Sequence, residues 1–178
     1  TGVQTCALPI CPQSAKPHAK PGDRVLDPGN LLLIDMGARY HGYCSDLTRT
    51  MFLGEPTSKV QEVYQIVLDA QLSGLEALGP GESAREVHEV TCDVIEGAGY
   101  GDRYDHGAGH GVGLEVHESP KLDDKSDDTL EPGNVVTMEP GIYLPGWGGI
   151  RIEDMVRITE DGYARFSHAP KKRIINPL

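Results

Sequence analysis

Four acids stand where acids are costly. Asp35 in LLLIDMG, Asp46 in GYCSDLTRT, Glu139 in VVTMEPG and Glu153 in IRIEDMV each lie in or beside a stretch otherwise built for burial. An isolated buried carboxylate is strongly penalised, or shifts its pKa until it is neutral. One such residue is ordinarily a strand end or a sheet edge. Four, in four separate strand-like segments, point to a shared cation. His110 in GAGHGVG adds an imidazole to the four oxygen donors, a set that suits Mn²⁺, Co²⁺, Fe²⁺ or Zn²⁺ rather than a soft, thiolate-bound metal. Four carboxylates carry a charge that two divalent ions balance and one does not. Two ions also need bridging carboxylates and naturally hold a bridging hydroxide, so the charge arithmetic favours a dinuclear hydrolytic centre. Arg151 and Glu153, two apart in a strand-like segment, share a face, which puts Arg151 in position to orient the metal-bound acids.

His110 belongs to the stretch GAGHGVGLEVHESP, Gly107 to Pro120, which carries His117 as well. Glycine lets backbone approach closely or take a positive φ. Taken alone, the stretch reads equally well as a turn with surface histidines or as one wall of an active site. The partners supplied by the rest of the chain decide it.

The elements that must position these residues follow from periodicity. Cys11 to Asn30 is rich in Pro, Gly and polar residues and reads as loop. LLLIDMG is a short apolar run of strand length, and RYHGYCSDLTRTMFLG a second strand with His41-Gly42 at the turn; together they suggest a hairpin. From Thr57 the period becomes helical: Val60, Tyr64, Val67, Leu68, Leu72, Leu75 and Leu78 fall on one face, and Gly79-Pro80 stops the run. Ser83 and Glu86 form a capping box for a second helix, whose stripe is Val87, Val90, Val94 and Ile95 and whose end is Gly97 or Gly99. His88 on that helix has no acidic or histidine partner at ligand spacing and reads as a surface residue. KLDDKSDDTLEPGN is an acidic loop out of register with an EF-hand. VVTMEPGIYL and GGIRIEDMVRIT read as two strands, and Glu160 to Gly162 as a turn. The order implies an α+β fold with an antiparallel sheet and helices on one face.

Composition sets the outer bounds. The chain has 178 residues, one domain or a piece of something larger, with 38% hydrophobic and 24% charged residues, as suits a soluble globular protein. No apolar run approaches membrane-spanning length. A net charge of −11 argues against a nucleic-acid surface. Cys6, Cys11, Cys44 and Cys92 show no CxxC spacing, so neither a zinc knuckle nor a redox pair is indicated, and ordinary thiols in a reduced cytoplasmic protein are expected. The opening TGVQTCALPI lacks the features of a secretory signal. The codons GGA GTT CAG ACG TGT GCT CTT CCG ATC encode Gly2 to Ile10 and resemble the end of a short-read sequencing adapter. Residues 1–10 are therefore expected to be translated adapter and are set aside from the fold, and residues 11–178 to be a truncated catalytic domain. A continuous upstream reading frame in the source DNA encoding the same residues would refute this.

Taken together, the motifs resemble the pita-bread metallopeptidases, the family of methionine aminopeptidases, Xaa-Pro aminopeptidases and prolidases. The resemblance lies in an Asp pair eleven apart, a His in GHGVG, a Glu in MEPG and a Glu in RIED, and it runs from Ser14 to Leu178. It implies the creatinase/aminopeptidase-like pita-bread fold and a set of roles. Asp35 would chelate one metal, Asp46 and Glu153 would bridge both, and His110 with Glu139 would complete the other. Glu139 would also serve as general base toward the bridging water, and His117 would meet the substrate and the developing oxyanion. His106, four before His110, and Arg151, two before Glu153, make the chain most similar to the proline-specific branch. His18 in KPHAKP and Tyr143, four after Glu139, match positions of that branch which line the substrate pocket.

The implied activity is hydrolysis of the bond between an N-terminal residue and proline, on a peptide or dipeptide, with two divalent ions, manganese ahead of cobalt, zinc or iron. A homodimer is in keeping with the family; nucleic acid and membrane are not partners. Other readings of the same scaffold are a methionine aminopeptidase, a creatinase-like hydrolase, an inactive fragment, or a non-catalytic protein-binding module. Such modules typically lose ligands, and all five are present here. The family has two pseudo-symmetric halves, and this chain matches the second half together with the Asp-bearing strands of the first. The first helix pair is thus expected to be missing, leaving an apolar sheet face exposed and prone to aggregation.

Overall fold

The structure, a computed structural model, describes residues 2–7, 10, 12–17, 23, 25–171 and 174–175. Strand β1 (Gly2–Ala7) lies antiparallel along β2 (Leu31–Tyr40), with Gly2 opposite Arg39 and Thr5 opposite Met36. Residues 2–7, set aside above, thus join a sheet edge, through main-chain groups that every non-proline residue carries. β2 turns through His41 and Gly42, at φ 50° and 91°, into β3 (Tyr43–Leu53). Two consecutive positive φ values are what a two-residue hairpin turn with the right twist requires.

Thr57 caps α1 (Ser58–Glu76) by accepting the Val60 N–H, and Ser83 caps α2 (Ala84–Gly97) by accepting the Glu86 N–H. The remaining strands are β4 (Gly109–Gly111), β5 (Glu118–Leu122), β6 (Val135–Met138), β7 (Gly141–Leu144), β8 (Gly148–Arg151), β9 (Asp154–Thr159), β10 (Gly162–Arg165) and β11 (Ile174–Ile175). They make a four-stranded sheet ordered β1-β2-β3-β11, a five-stranded sheet ordered β10-β9-β6-β4-β5, and a β7-β8 ribbon. Every pairing among them is antiparallel except the two-residue contact of β11 with β3. No helix among the described residues is long and apolar enough to cross a membrane.

Two segments expected as single strands are each broken in two. The ladder that sets Met138 opposite Asp154 stops there and resumes with Gly141 opposite Arg151. Pro140 has no N–H to carry it through. Glu139 and Glu153 sit in this gap, between two sheets rather than inside one.

The first half of α1 packs Val60, Val63, Tyr64 and Val67 onto Leu31, Phe52, Ile142 and Ile150. Its end joins α2 over a second cluster that includes Leu75, Val87, Leu122, Val136 and Met138. Leu72, expected in the buried stripe, is 41% exposed. It lies about 100° round the helix from Gln71, and Gln71 is the residue buried there. His88, expected on the surface, is buried, and its Nδ1 accepts the Ala108 N–H at 3.1 Å. Its partner is backbone twenty residues away, which side-chain spacing does not reveal. On the outer face of β2–β3, Leu32, Ile34 and Leu47 are half-buried while Met36, Tyr40 and Tyr43 are exposed.

Gly74 lets α1 settle on β6. A Cβ there would stand 2.5 Å from Met138 Sδ and 2.7 Å from Thr91 Cγ2. Gly74→Val is expected to cost about 1–3 kcal/mol of stability through overpacking, and to disturb Met138, the residue before Glu139. Chemical denaturation measures this, and an unchanged midpoint would refute the close contact.

Candidate metal centre

The two-residue turn pairs Asp35 with Thr48 and Gly37 with Asp46. Two rungs apart on adjacent strands, the aspartates are diagonal neighbours on one face of the hairpin. Glu139 follows Met138 and Glu153 precedes Asp154, and those two neighbours are directly opposite each other, so the glutamates leave the five-stranded sheet at the same end. His110 is the middle residue of β4, which lies between β5 and β6. The strand can lie there because position 109 is glycine; a Cβ would run into the Thr137 carbonyl oxygen.

Two threonines brace this set. Thr48 donates to Glu153 Oε2 at 2.7 Å and accepts from Arg151 Nε at 3.2 Å. Thr137 accepts the His110 N–H at 3.0 Å and donates to Glu139 Oε1 at 3.1 Å. Neither belongs to a motif. The available signal is spacing, since each stands two residues from a candidate ligand on a strand-like stretch, although only Thr48 shares a strand face with its neighbour, Asp46.

The five candidate ligands converge. His110 Nε2 is 3.1 Å from Glu139 Oε1 and 3.9 Å from Asp46 Oδ2. Three sets, His110 with Glu139 and Glu153, Asp35 with Asp46 and Glu153, and Asp46 with His110 and His117, each bring one atom per residue within 4.8 Å of the others. The His110 Nδ1–H donates to the Gly111 carbonyl at 3.0 Å, which aims Nε2 at the acids. Burial alone would lower the His110 pKa, but the hydrogen bond to Glu139 and the neighbouring acids raise it, and a metal ion would take the place of that proton. Burial, then the charges of Asp35 and Glu139, push the Asp46 carboxyl up to about 7. Burial, then Glu139 and Asp46, drive Glu153 well above the usual carboxylate range. Burial would raise Glu139 too, but the hydrogen bond and charge of His110, with the charge of Arg151, outweigh it and hold it at about 2. Glu153 Oε1 is buried without a hydrogen-bond partner. An orphaned carboxylate oxygen among crowded like charges fits a pair of divalent cations.

That crowding has a pH signature. A carboxyl whose folded pKa is raised stabilises the fold below its unfolded value and loses that contribution as pH climbs through the raised one. For Asp46 the window runs from 3.8 to about 7. Over it, Mn²⁺ is expected to displace protons from Asp46 and Glu153, so the rise in melting temperature on adding Mn²⁺ should grow with pH. Melting curves with and without Mn²⁺ test this; a rise that shrinks toward neutral pH would contradict it.

Arg151 closes the back of the site. Its guanidinium donates to Asp35 Oδ2 at 2.6 Å, to the Tyr143 hydroxyl at 3.0 Å and to the Pro17 carbonyl at 3.1 Å. The strand face expected to join Arg151 with Glu153 does not exist, because Glu153 lies past the end of β8; both nevertheless reach the pocket. Tyr143, already accepting from Arg151, directs its own proton to His106 Nε2 at 2.9 Å, and the His106 Nδ1–H donates to the Gly107 carbonyl at 2.8 Å. Burial lowers the His106 pKa. Tyr143 is 5% exposed and stands behind Arg151 and His106 rather than on the pocket wall. His117 is exposed at the mouth, its ring centroid 4.3 Å from that of His110. His18 lies outside the described residues. The cavity, ≈ 390 Å³, is lined by all five candidate ligands with His106, His117 and Arg151. Lys121 also lines it, being the cross-strand partner of His110, a placement no motif announces.

A hairpin-borne pair of aspartates facing a histidine and two glutamates across an α+β scaffold defines a pita-bread metallopeptidase. The chain matches the pattern of metallopeptidase family M24 over residues 5–160 and belongs to that family. It is 45% identical over 160 residues to the Xaa-Pro dipeptidase of Pyrococcus furiosus, covering 90% of this chain and 46% of that one. The structure of an Xaa-Pro dipeptidase from Bacillus anthracis superposes with a TM-score of 0.95 at 44% identity, covering 98% of this chain and 50% of that one. That of an X-Pro aminopeptidase from Thermotoga maritima gives 0.92 at 40%, covering 96% and 48%. The chain spans about half the length of the relatives it matches.

Proposed function

We propose that the chain carries the catalytic site of a metal-dependent exopeptidase that cleaves between an N-terminal residue and proline, as an Xaa-Pro dipeptidase or aminopeptidase. The observation that carries this reading is the convergence of Asp35, Asp46, His110, Glu139 and Glu153 on one pocket, in a chain whose relatives bear those names. Two divalent ions held by these five, manganese foremost, would acidify a water and polarise the scissile carbonyl.

The protein's own groups do the rest. Glu139, ionised across the working range, accepts the proton of the attacking water and passes it toward the leaving nitrogen. His117, exposed at the mouth, meets the developing oxyanion. Arg151 fixes Asp35, and Tyr143 holds Arg151 and His106 in register with each other. A cavity of ≈ 390 Å³ admits a dipeptide. A cytoplasmic location and a homodimer belong to the same reading, and fractionation and light scattering test them.

Assaying Xaa-Pro dipeptides, longer Xaa-Pro peptides, Met-peptides and creatine with Mn²⁺, Co²⁺, Zn²⁺ or Fe²⁺ tests the substrate. Turnover confined to Xaa-Pro bonds is expected; cleavage of Met-peptides or creatine in their place would overturn the assignment.

A further inference from the structure

Glu153, common to two of the ligand sets, is gripped from outside the pocket. Its N–H donates to the Thr48 carbonyl at 3.1 Å. Its carbonyl accepts from Arg49 Nη1, which also donates to the Thr48 carbonyl at 2.9 Å. The other arm of Arg49 donates to Asp154 Oδ1 at 2.7 Å and to the Ala169 carbonyl at 2.8 Å. On its second oxygen Asp154 receives Lys171 Nζ at 2.8 Å and Gln71 Nε2 at 3.3 Å. Lys171 in turn donates to Gln71 Oε1 at 2.7 Å, and its carbonyl accepts the Tyr64 hydroxyl at 3.0 Å. None of Arg49, Asp154, Gln71 and Lys171 lines the cavity, and Arg49 and Asp154 are 3% and 0% exposed.

A buried ion pair is a poor device for stability alone, because desolvation consumes most of its Coulombic gain. What this one accomplishes is geometric. The planar fork of Arg49 reaches Glu153, Asp154 and Ala169 together, which a lysine cannot do. With Glu153 Oε1 unpartnered, the aim of that carboxylate depends on Thr48 and on its own clamped peptide.

We propose that Arg49 and Asp154 are a positioning pair for Glu153, completed by Lys171 and the Ala169 carbonyl, so that affinity for divalent ions depends on a C-terminal segment outside the pocket. This rests on the metal-site reading above. Calorimetric titration with Mn²⁺ alone, beside metal-free melting curves, tests it on the unaltered chain and on Asp154→Asn, Arg49→Lys, Lys171→Met and Val87→Ala. The first three are expected to bind Mn²⁺ roughly 10- to 100-fold more weakly, as loss of groups behind a metal ligand does. Val87, buried among apolar residues of α2 and the five-stranded sheet, serves as the comparison: Val87→Ala should melt lower with its Mn²⁺ affinity intact. If Asp154→Asn does not fold, Lys171→Met decides, since it leaves the Arg49–Asp154 pair in place. Unchanged affinity in the three variants, or an equal loss in Val87→Ala, would overturn the positioning role while the metal site stands. No Mn²⁺ uptake by the unaltered chain would overturn both.

Discussion

Glu139→Gln is expected to lower kcat on an Xaa-Pro substrate by roughly 100- to 10,000-fold, the usual worth of a general base, with a far smaller effect on KM. Glutamine keeps the shape and still accepts from Thr137, which now lies 3.1 Å from Glu139 Oε1. It cannot take a proton, and it withdraws the charge that faces His110 at 3.1 Å and Arg151 at 3.7 Å. Steady-state kinetics at saturating Mn²⁺ measure the effect. Turnover within a few-fold of the unaltered protein would remove Glu139 from the chemistry.

Glu153→Gln should be as damaging by a different route. Its carboxylate belongs both to the set with His110 and Glu139 and to the set with Asp35 and Asp46, so both ions are expected to be lost and catalysis with them. Asp35→Asn leaves the first set whole and should keep one ion. The metal-free fold responds in the opposite sense. Burial and the neighbouring Glu139 and Asp46 drive Glu153 toward its neutral form, so a neutral amide of the same shape relieves repulsion. The metal-free Glu153→Gln variant is expected to melt higher than the unaltered chain near neutral pH, and to gain nothing from Mn²⁺. A lower metal-free melting point, with Mn²⁺ stabilisation intact, would contradict this.

The four candidate acids were legible in the sequence for a physical reason: an acid amid β-forming, apolar neighbours is conspicuous. His110 was legible only through the partners those acids supplied. The hairpin was legible as well, since His41-Gly42 between two strand-like runs admits few other conformations. Less visible was where the strands end. Strong β-formers flank Glu139-Pro140-Gly141 on both sides in VVTMEPGIYL, so the stretch reads as one strand, and the missing N–H of Pro140 splits it between two sheets. That split also turns Glu139 and Glu153 toward each other. Contacts between distant segments left no periodic trace. His88 finds its partner in the Ala108 backbone, and Arg49 finds Glu153 and Asp154 from the other end of the chain. In isolation each reads as an ordinary polar residue. Gln71 takes a buried helix position where the apolar period offered Leu72, because Asp154 and Lys171 meet there.

Counting metal is the most direct test of the central claim that five side chains cage a pair of divalent cations. After equilibrium dialysis against Mn²⁺, mass spectrometry of metal per chain should give two for the unaltered protein, one for Asp35→Asn and none for Glu153→Gln. No retained ion in the unaltered chain, or the same count in all three, would contradict it.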